Sequence, residues 1–214
     1  MLGGLLPDSS ALVLFLVATV TLNLTPGPDM LYVVANSVGG GRKAGVISAL
    51  GIGAGTVVHT FAAALGLSAL LMSSAVLYDV FRYVGAAYLI YMGVRFLGSK
   101  STFARSVQQS QVPLFSTFRR GVATNVLNPK VAIFFLAFLP QFVDPARGSA
   151  IWQFILLGTI FNTSGTMVNT IVALVSGRLG NWIGSRPALS RAQQWFTGSV
   201  FMALGARIAL AGRA

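Results

Sequence analysis

Polar residues in this chain are confined to short intervals. Between them lie six long apolar runs: Ala11–Val38, Ala44–Leu71, Val76–Leu97, Phe118–Val143, Ala150–Val175 and Gln193–Ala211. Each is near the roughly 20 residues that cross a bilayer as a helix, and the longer ones must tilt or break. They are too long for strands. Hydrocarbon also requires each segment to satisfy its own backbone, which selects helices. The pattern predicts an all-α membrane protein with six transmembrane helices, forming a single transmembrane domain over residues 1–214.

Composition agrees. The chain is 55% hydrophobic and 9% charged, with a mean hydropathy of +0.76. A soluble domain carries about a quarter charged residues. The only acids are Asp8, Asp29, Asp79 and Asp144, and there is no Cys. Such an inventory excludes disulfides, zinc-thiolate sites, a Cys nucleophile, a paired-Glu hydrolase and a carboxylate cage for calcium. No cofactor is expected. The net charge of +11 would suggest nucleic acid in a polar protein. Here apolar runs separate the basic residues, so the charge reports membrane orientation and no nucleic-acid partner. Arg42 and Lys43, then Arg95, Lys100, Arg105, Arg119 and Arg120, then Arg178, Arg186 and Arg191 fall on loops one, three and five. The positive-inside rule puts those loops in the cytoplasm and both termini outside. Met1–Ser10 contains Asp8 and no basic residue, which argues against a cleaved signal peptide.

The two halves of the chain match in order. Pro28-Asp29 corresponds to Pro129-Lys130, and Gly55–Thr60 corresponds to Gly158–Thr163. Tyr83-Val84-Gly85 followed by Gly93 corresponds to Phe196-Thr197-Gly198 followed by Gly205. With three spans per half, the second copy must enter the membrane upside down. The reading is therefore two inverted three-helix repeats, about 1–100 and about 114–214, joined by a polar linker at about 100–113.

Span one contains Asn23-Leu24-Thr25-Pro26-Gly27-Pro28-Asp29, and span four contains Asn125-Val126-Leu127-Asn128-Pro129-Lys130. Proline removes a backbone donor and clashes with the preceding turn, so helices 1 and 4 are expected to be Pro-broken. Paired interruptions in two halves mark a transporter binding site. Asn23, Thr25, Asn125 and Asn128 are candidates to satisfy the freed backbone groups. Asp29 and Lys130 sit in mid-span, where a Lys costs at least about 2.5–3.5 kcal/mol facing lipid. Both should face the interior, and the symmetry suggests a pair across the two breaks. A permanent salt bridge that fixes helix register is the alternative reading, as is a Lys130 that snorkels to the interface.

The single His59 shares a helix face with Thr56. It is read either as a proton relay or substrate contact, or as a helix–helix hydrogen bond, and the matching Asn162 cannot titrate. Asn162, Thr163, Ser164, Thr166 and Asn169 give span five a polar stripe that either bonds neighbouring helices or lines a pathway. Gly51, Gly53 and Gly55 suggest close helix approach, inside one bundle or in a homodimer. Phe134, Phe135, Phe138 and Phe142 read as packing or lipid surface.

TPGPD at residues 25–29, the segments Asn23–Leu71 and Arg119–Asp144, and GAAYLIYMGVRFL at Gly85–Leu97 together resemble the LysE-type amino-acid exporter family, with its lysine and homoserine/threonine branches. Pro26, Gly27, Pro28 and Asp29 match the family's first-helix motif, and Asn128, Pro129 and Lys130 match its fourth-helix motif. The resemblance implies a multi-pass protein of the bacterial inner membrane that exports an amino acid, driven by the proton-motive force. One departure is Thr56, where many relatives carry an acid. The expectation is a secondary exporter of a small zwitterion, with the substrate ammonium at Asp29, its carboxylate at Lys130 and a proton exchanged at Asp29. Efflux of a metal or organic cation is the competing transport reading. A membrane enzyme would need a nucleophile–base set that this inventory lacks, and a structural subunit would leave the paired breaks unexplained.

Overall fold

The computed structural model describes residues 6–69 and 113–184, with further single positions between 80 and 98 and between 195 and 210. For residues 177–184 it describes the backbone alone. The described residues are helical apart from turns and caps, with no strand among them. The predicted linker lies outside the described residues, as do most of the predicted third and sixth spans.

The first helix, α1 (Ser9–Leu24), ends where the proline chemistry requires. Pro26 disfavours helical geometry in the residue before it, and Thr25 turns extended (φ −72°, ψ 122°). Gly27 is extended as well. Pro28 then opens α2 (Pro28–Ala62) at the first helical position, where its missing N–H costs nothing. The second interruption is built alike. Helix α3 (Leu114–Val126) stops before Leu127 and Asn128, and Pro129 opens α4 (Pro129–Ile133). The segment Pro129–Phe142, which α4 begins, is bent by 47° from α3. The Asn128 side chain caps α4 by accepting from the Lys130 N–H at 3.0 Å. Helix α4 continues through a π turn (Phe134–Phe138) and a 3₁₀ turn (Leu139–Phe142), and α5 runs Ala150–Gly184.

Helix α2 is two helical arms in one. Gly41 has φ +79°, a left-handed conformation that glycine adopts without penalty. A Cβ on Gly45 would stand 2.7 Å from the Ser37 Cβ. Eight residues along a continuous helix these positions would be about 12 Å apart. The chain therefore reverses at Gly41, and its arms pack side by side. The Gly39–Gly41 run beside Arg42 and Lys43 is this hairpin turn.

The second arm of α2 lies between α3 and α5, and its glycines set those contacts. A Cβ on Gly51 would fall 2.4 Å from the Phe118 carbonyl oxygen, and one on Gly55 2.7 Å from the Asn125 Cβ. Gly53 faces α5, where its Cβ would meet Thr166 Oγ1 at 2.7 Å. Glycine here allows the close backbone approach that membrane helices use in place of a hydrophobic drive. Gly51→Ala should accordingly cost about 1–3 kcal/mol, the range for overpacking, because its neighbour is a backbone atom that cannot rotate away. Thermal unfolding of the purified variant in detergent measures this.

Two packed cores flank the middle of the bundle. Toward the end that bears Asp8 and Arg147, Phe15, Phe134, Phe135, Phe138, Phe142 and Phe154 join aliphatic residues in one buried cluster. The span-four phenylalanines are thus packing surface. Phe134 stacks on Phe161 at 4.5 Å between centroids, and Phe15 meets Phe142 edge-on at 5.3 Å. Toward the other end the core is small, formed by Val33, Ala49, Ile52 and Ala173. There polar contacts take over. Ser37 donates to the Ala173 carbonyl, and the Tyr32 hydroxyl donates to the Thr117 carbonyl at 2.7 Å. The outward surface is apolar, with Val13, Val17, Leu65, Phe115, Trp152 and Met167 all strongly exposed.

Candidate functional site

Between the two cores the breaks meet. Helix α1 ends with the negative end of its dipole, where the Leu22 carbonyl takes the Thr25 N–H at 3.1 Å. Lys130, in the first turn of α4, extends its ammonium to that end. Its Nζ donates to the Leu22 carbonyl at 3.0 Å and to the Thr25 carbonyl at 2.9 Å. Gly27 leaves the room, since a Cβ there would lie 3.2 Å from Lys130 Nζ. The cation that opens one broken helix therefore closes the end of the other. Lys130 is buried, so snorkelling is not its role.

Asp29 is equally buried, in the first turn of α2. Its Oδ2 accepts from Asn125 Nδ2 at 2.8 Å. Its Oδ1 is buried and accepts no hydrogen bond. Asn125, in the last turn of α3, is held in turn by α2. Thr56 Oγ1 donates to Asn125 Oδ1 at 3.3 Å, and His59 Nε2 lies 3.2 Å from the Asn125 carbonyl oxygen. The expected direct pair between Asp29 and Lys130 is not formed. Among the described residues the one ion pair is Arg147 with Asp8, at 2.7 Å on the surface. The carboxylate has instead taken an amide, and the ammonium has taken two helix-end carbonyls, the partners that the breaks place within reach.

Both charges nevertheless line one cavity of about 20 Å³. A water needs roughly 10–15 Å³ by this measure, so the space admits a water and not an amino acid. Of the sequence-predicted residues, Asn23, Thr25, Asp29, Thr56, Asn125, Lys130 and Asn162 line it. Pro26, Gly27, Pro28, Asn128 and Pro129 do not; they shape the breaks behind it. His59 is also outside the wall, stacked on Phe135 at 5.7 Å, with its Nε2 3.2 Å from the Asn125 carbonyl oxygen of helix α3. From α5, Thr166 and Asn169 join Asn162 in the lining, so part of the polar stripe faces the cavity. The rest bonds neighbours: Asn23 Nδ2 donates to Ser164 Oγ at 2.9 Å and to the Phe161 carbonyl at 3.3 Å. Sequence reasoning did not find Met30, Ile52, Val131 and Phe161, the apolar part of the wall. In a chain this hydrophobic, no local signal separates a wall residue from a packing one.

A helical bundle with an apolar surface that buries a carboxylate and an ammonium at one cavity between broken helices has the features of a membrane translocator. The LysE type translocator family matches residues 20–212, and the chain belongs to that family. It is 30% identical over 196 residues to the leucine efflux protein of Salmonella typhimurium, covering 91% of this chain and 92% of that one. It is 30% identical over 202 residues to an uncharacterized membrane protein of Pseudomonas aeruginosa, covering 92% and 94%. A further uncharacterized membrane protein, from Vibrio cholerae, is 28% identical over 198 residues, with 92% and 95% covered. No solved structure matches the chain significantly. The protein is a membrane transporter and not an enzyme.

Proposed function

We propose that this protein is a secondary exporter of an amino acid across the bacterial cytoplasmic membrane, exchanging substrate for protons at Asp29. The observation that carries this reading is the shared cavity, with its acid and its base each only partly engaged. Asp29 Oδ1 is an acceptor in want of a cation. The Lys130 ammonium has three donors, and two are used on Leu22 and Thr25. A zwitterion supplies both partners: its ammonium meets Asp29 Oδ1 and its carboxylate meets the remaining Lys130 N–H. Met30, Ile52, Val131 and Phe161 give an aliphatic side chain an apolar wall. A substrate like that of the leucine efflux relative suits such a wall.

The constricted cavity implies alternating opening toward each side, and an inverted pair of three-helix repeats provides it. Two features support six spans in that arrangement. The break of each half is held by the other half, Asn23 by α5 and Asn125 by the second arm of α2. In addition, a Cβ on Gly198 would meet Leu97 and Gly93, and one on Gly205 would meet Ile90 and Ala86. Rising numbers on one side pair with falling numbers on the other, as an antiparallel crossing of the proposed third and sixth spans would have it.

The test is transport itself. Proteoliposomes loaded with labelled leucine should release it several-fold faster when the external pH is set below the luminal pH. Unlabelled aliphatic amino acids inside should compete. If no amino acid moves, or if release ignores the gradient, the proposal fails.

A further inference from the structure

Asn125 holds the carboxylate on which the proposed exchange depends, and its surroundings offer its amide two complete sets of partners. In the conformation described, Thr56 Oγ1 donates to Asn125 Oδ1, and Asn125 Nδ2 donates to Asp29 Oδ2. This set suits an ionised carboxylate, which accepts only. A proton on Oδ2 turns that oxygen into a donor, and the Nδ2 group facing it would then be the wrong partner. Rotating the amide by half a turn brings Oδ1 to Asp29 and Nδ2 to Thr56. The Thr56 hydroxyl must then accept, so its own hydrogen needs another acceptor. The Ile52 carbonyl lies 3.2 Å from Thr56 Oγ1 and serves.

We propose that Asn125 is a positioning residue for Asp29 whose amide turns over with the protonation of the carboxylate, with the Thr56 hydroxyl and the Ile52 carbonyl satisfying both orientations. The amide is 1% exposed, so neither orientation has bulk water to fall back on. An unpaired polar group there costs more than a surface one. Gly55 makes the rotation feasible, since any side chain there would press on the Asn125 Cβ and Oδ1. The other charged and titratable groups around Asp29 do not compete for the amide side chain. Lys130 from α4 is engaged by Leu22 and Thr25, and His59 from α2 meets only the Asn125 backbone carbonyl. The remaining polar walls, Asn23 and Asn162 among them, are neutral. The inference rests on the proposed proton exchange at Asp29, and it gives Thr56 a role that an aliphatic residue of the same shape cannot fill.

The experiment compares Thr56→Val and Thr56→Ser with the unaltered protein in the proteoliposome assay, across external pH. Valine keeps the shape and removes the hydroxyl. The carboxylate set then loses one hydrogen bond, and the carboxylic-acid set loses two. The midpoint of the pH profile should move to lower pH by about 0.5–1 unit, the shift equivalent to one hydrogen bond. Serine keeps the hydroxyl and should restore the original midpoint. A midpoint that stays in place in Thr56→Val, while only the rate falls, would overturn the amide's role and leave proton exchange standing. Asp29→Asn separates the two: gradient-driven transport in that variant would overturn the exchange reading whatever the Thr56 variants do.

Discussion

Asp29→Asn should abolish gradient-driven export, on the order of a hundredfold, with the fold intact. The amide has the shape of the carboxylate and can still bond Asn125, so the cavity keeps its walls. What disappears is the one negative charge in the membrane interior among the described residues, and with it both the proton site and the partner for a substrate ammonium. A charged hydrogen bond is worth about 1.5–3 kcal/mol, and each 1.4 kcal/mol is a factor of ten, which sets the expected loss. Efflux from proteoliposomes under a pH gradient gives the rate, and thermal unfolding of the same preparation shows that the variant is folded. Full gradient-driven efflux in Asp29→Asn would remove Asp29 as the coupling site.

The features the sequence makes legible are those whose physics is local. Pro26, Pro28 and Pro129 act on their immediate neighbours, so both breaks could be read from the chain alone, and the structure has them at Thr25–Gly27 and Leu127–Asn128. The burial of Asp29 and Lys130 was equally legible, because hydrocarbon forbids the alternative. Their failure to touch was not. It depends on which partners each break supplies in three dimensions: two carbonyls at the end of α1 for the ammonium, and the Asn125 amide for the carboxylate. Symmetry between matched residues predicted a contact, but a matched position fixes only a level in the membrane. His59 illustrates the same limit. Its spacing from Thr56 was right for a shared face, yet Thr56 reaches the cavity while His59 turns to Phe135. The apolar wall was invisible for a different reason. Met30, Ile52, Val131 and Phe161 are ordinary residues in a membrane helix, and only their convergence distinguishes them.

Lys130→Met should produce the largest loss of stability of any substitution at the site, about 2–4 kcal/mol, together with loss of transport. Methionine fills much of the same volume, so the cost is electrical. The carbonyls of Leu22 and Thr25 lose a charged donor in a buried place, and a hydrogen bond to a charged group is worth about 1.5–3 kcal/mol. Asp29 is left as a buried charge with no cation near it, the circumstance in which breaking a charge arrangement is most expensive. The double variant Asp29→Asn with Lys130→Met separates these contributions. Removing the carboxylate charge should recover the Asp29 part of the stability and none of the carbonyl part, so thermal unfolding should return only partway. Transport should stay absent, because neither pole of a zwitterion then has a partner. If the double variant exports leucine at the original rate, the two charges serve only to hold helices α1 and α4 in register, and the cavity between them is not where substrate binds.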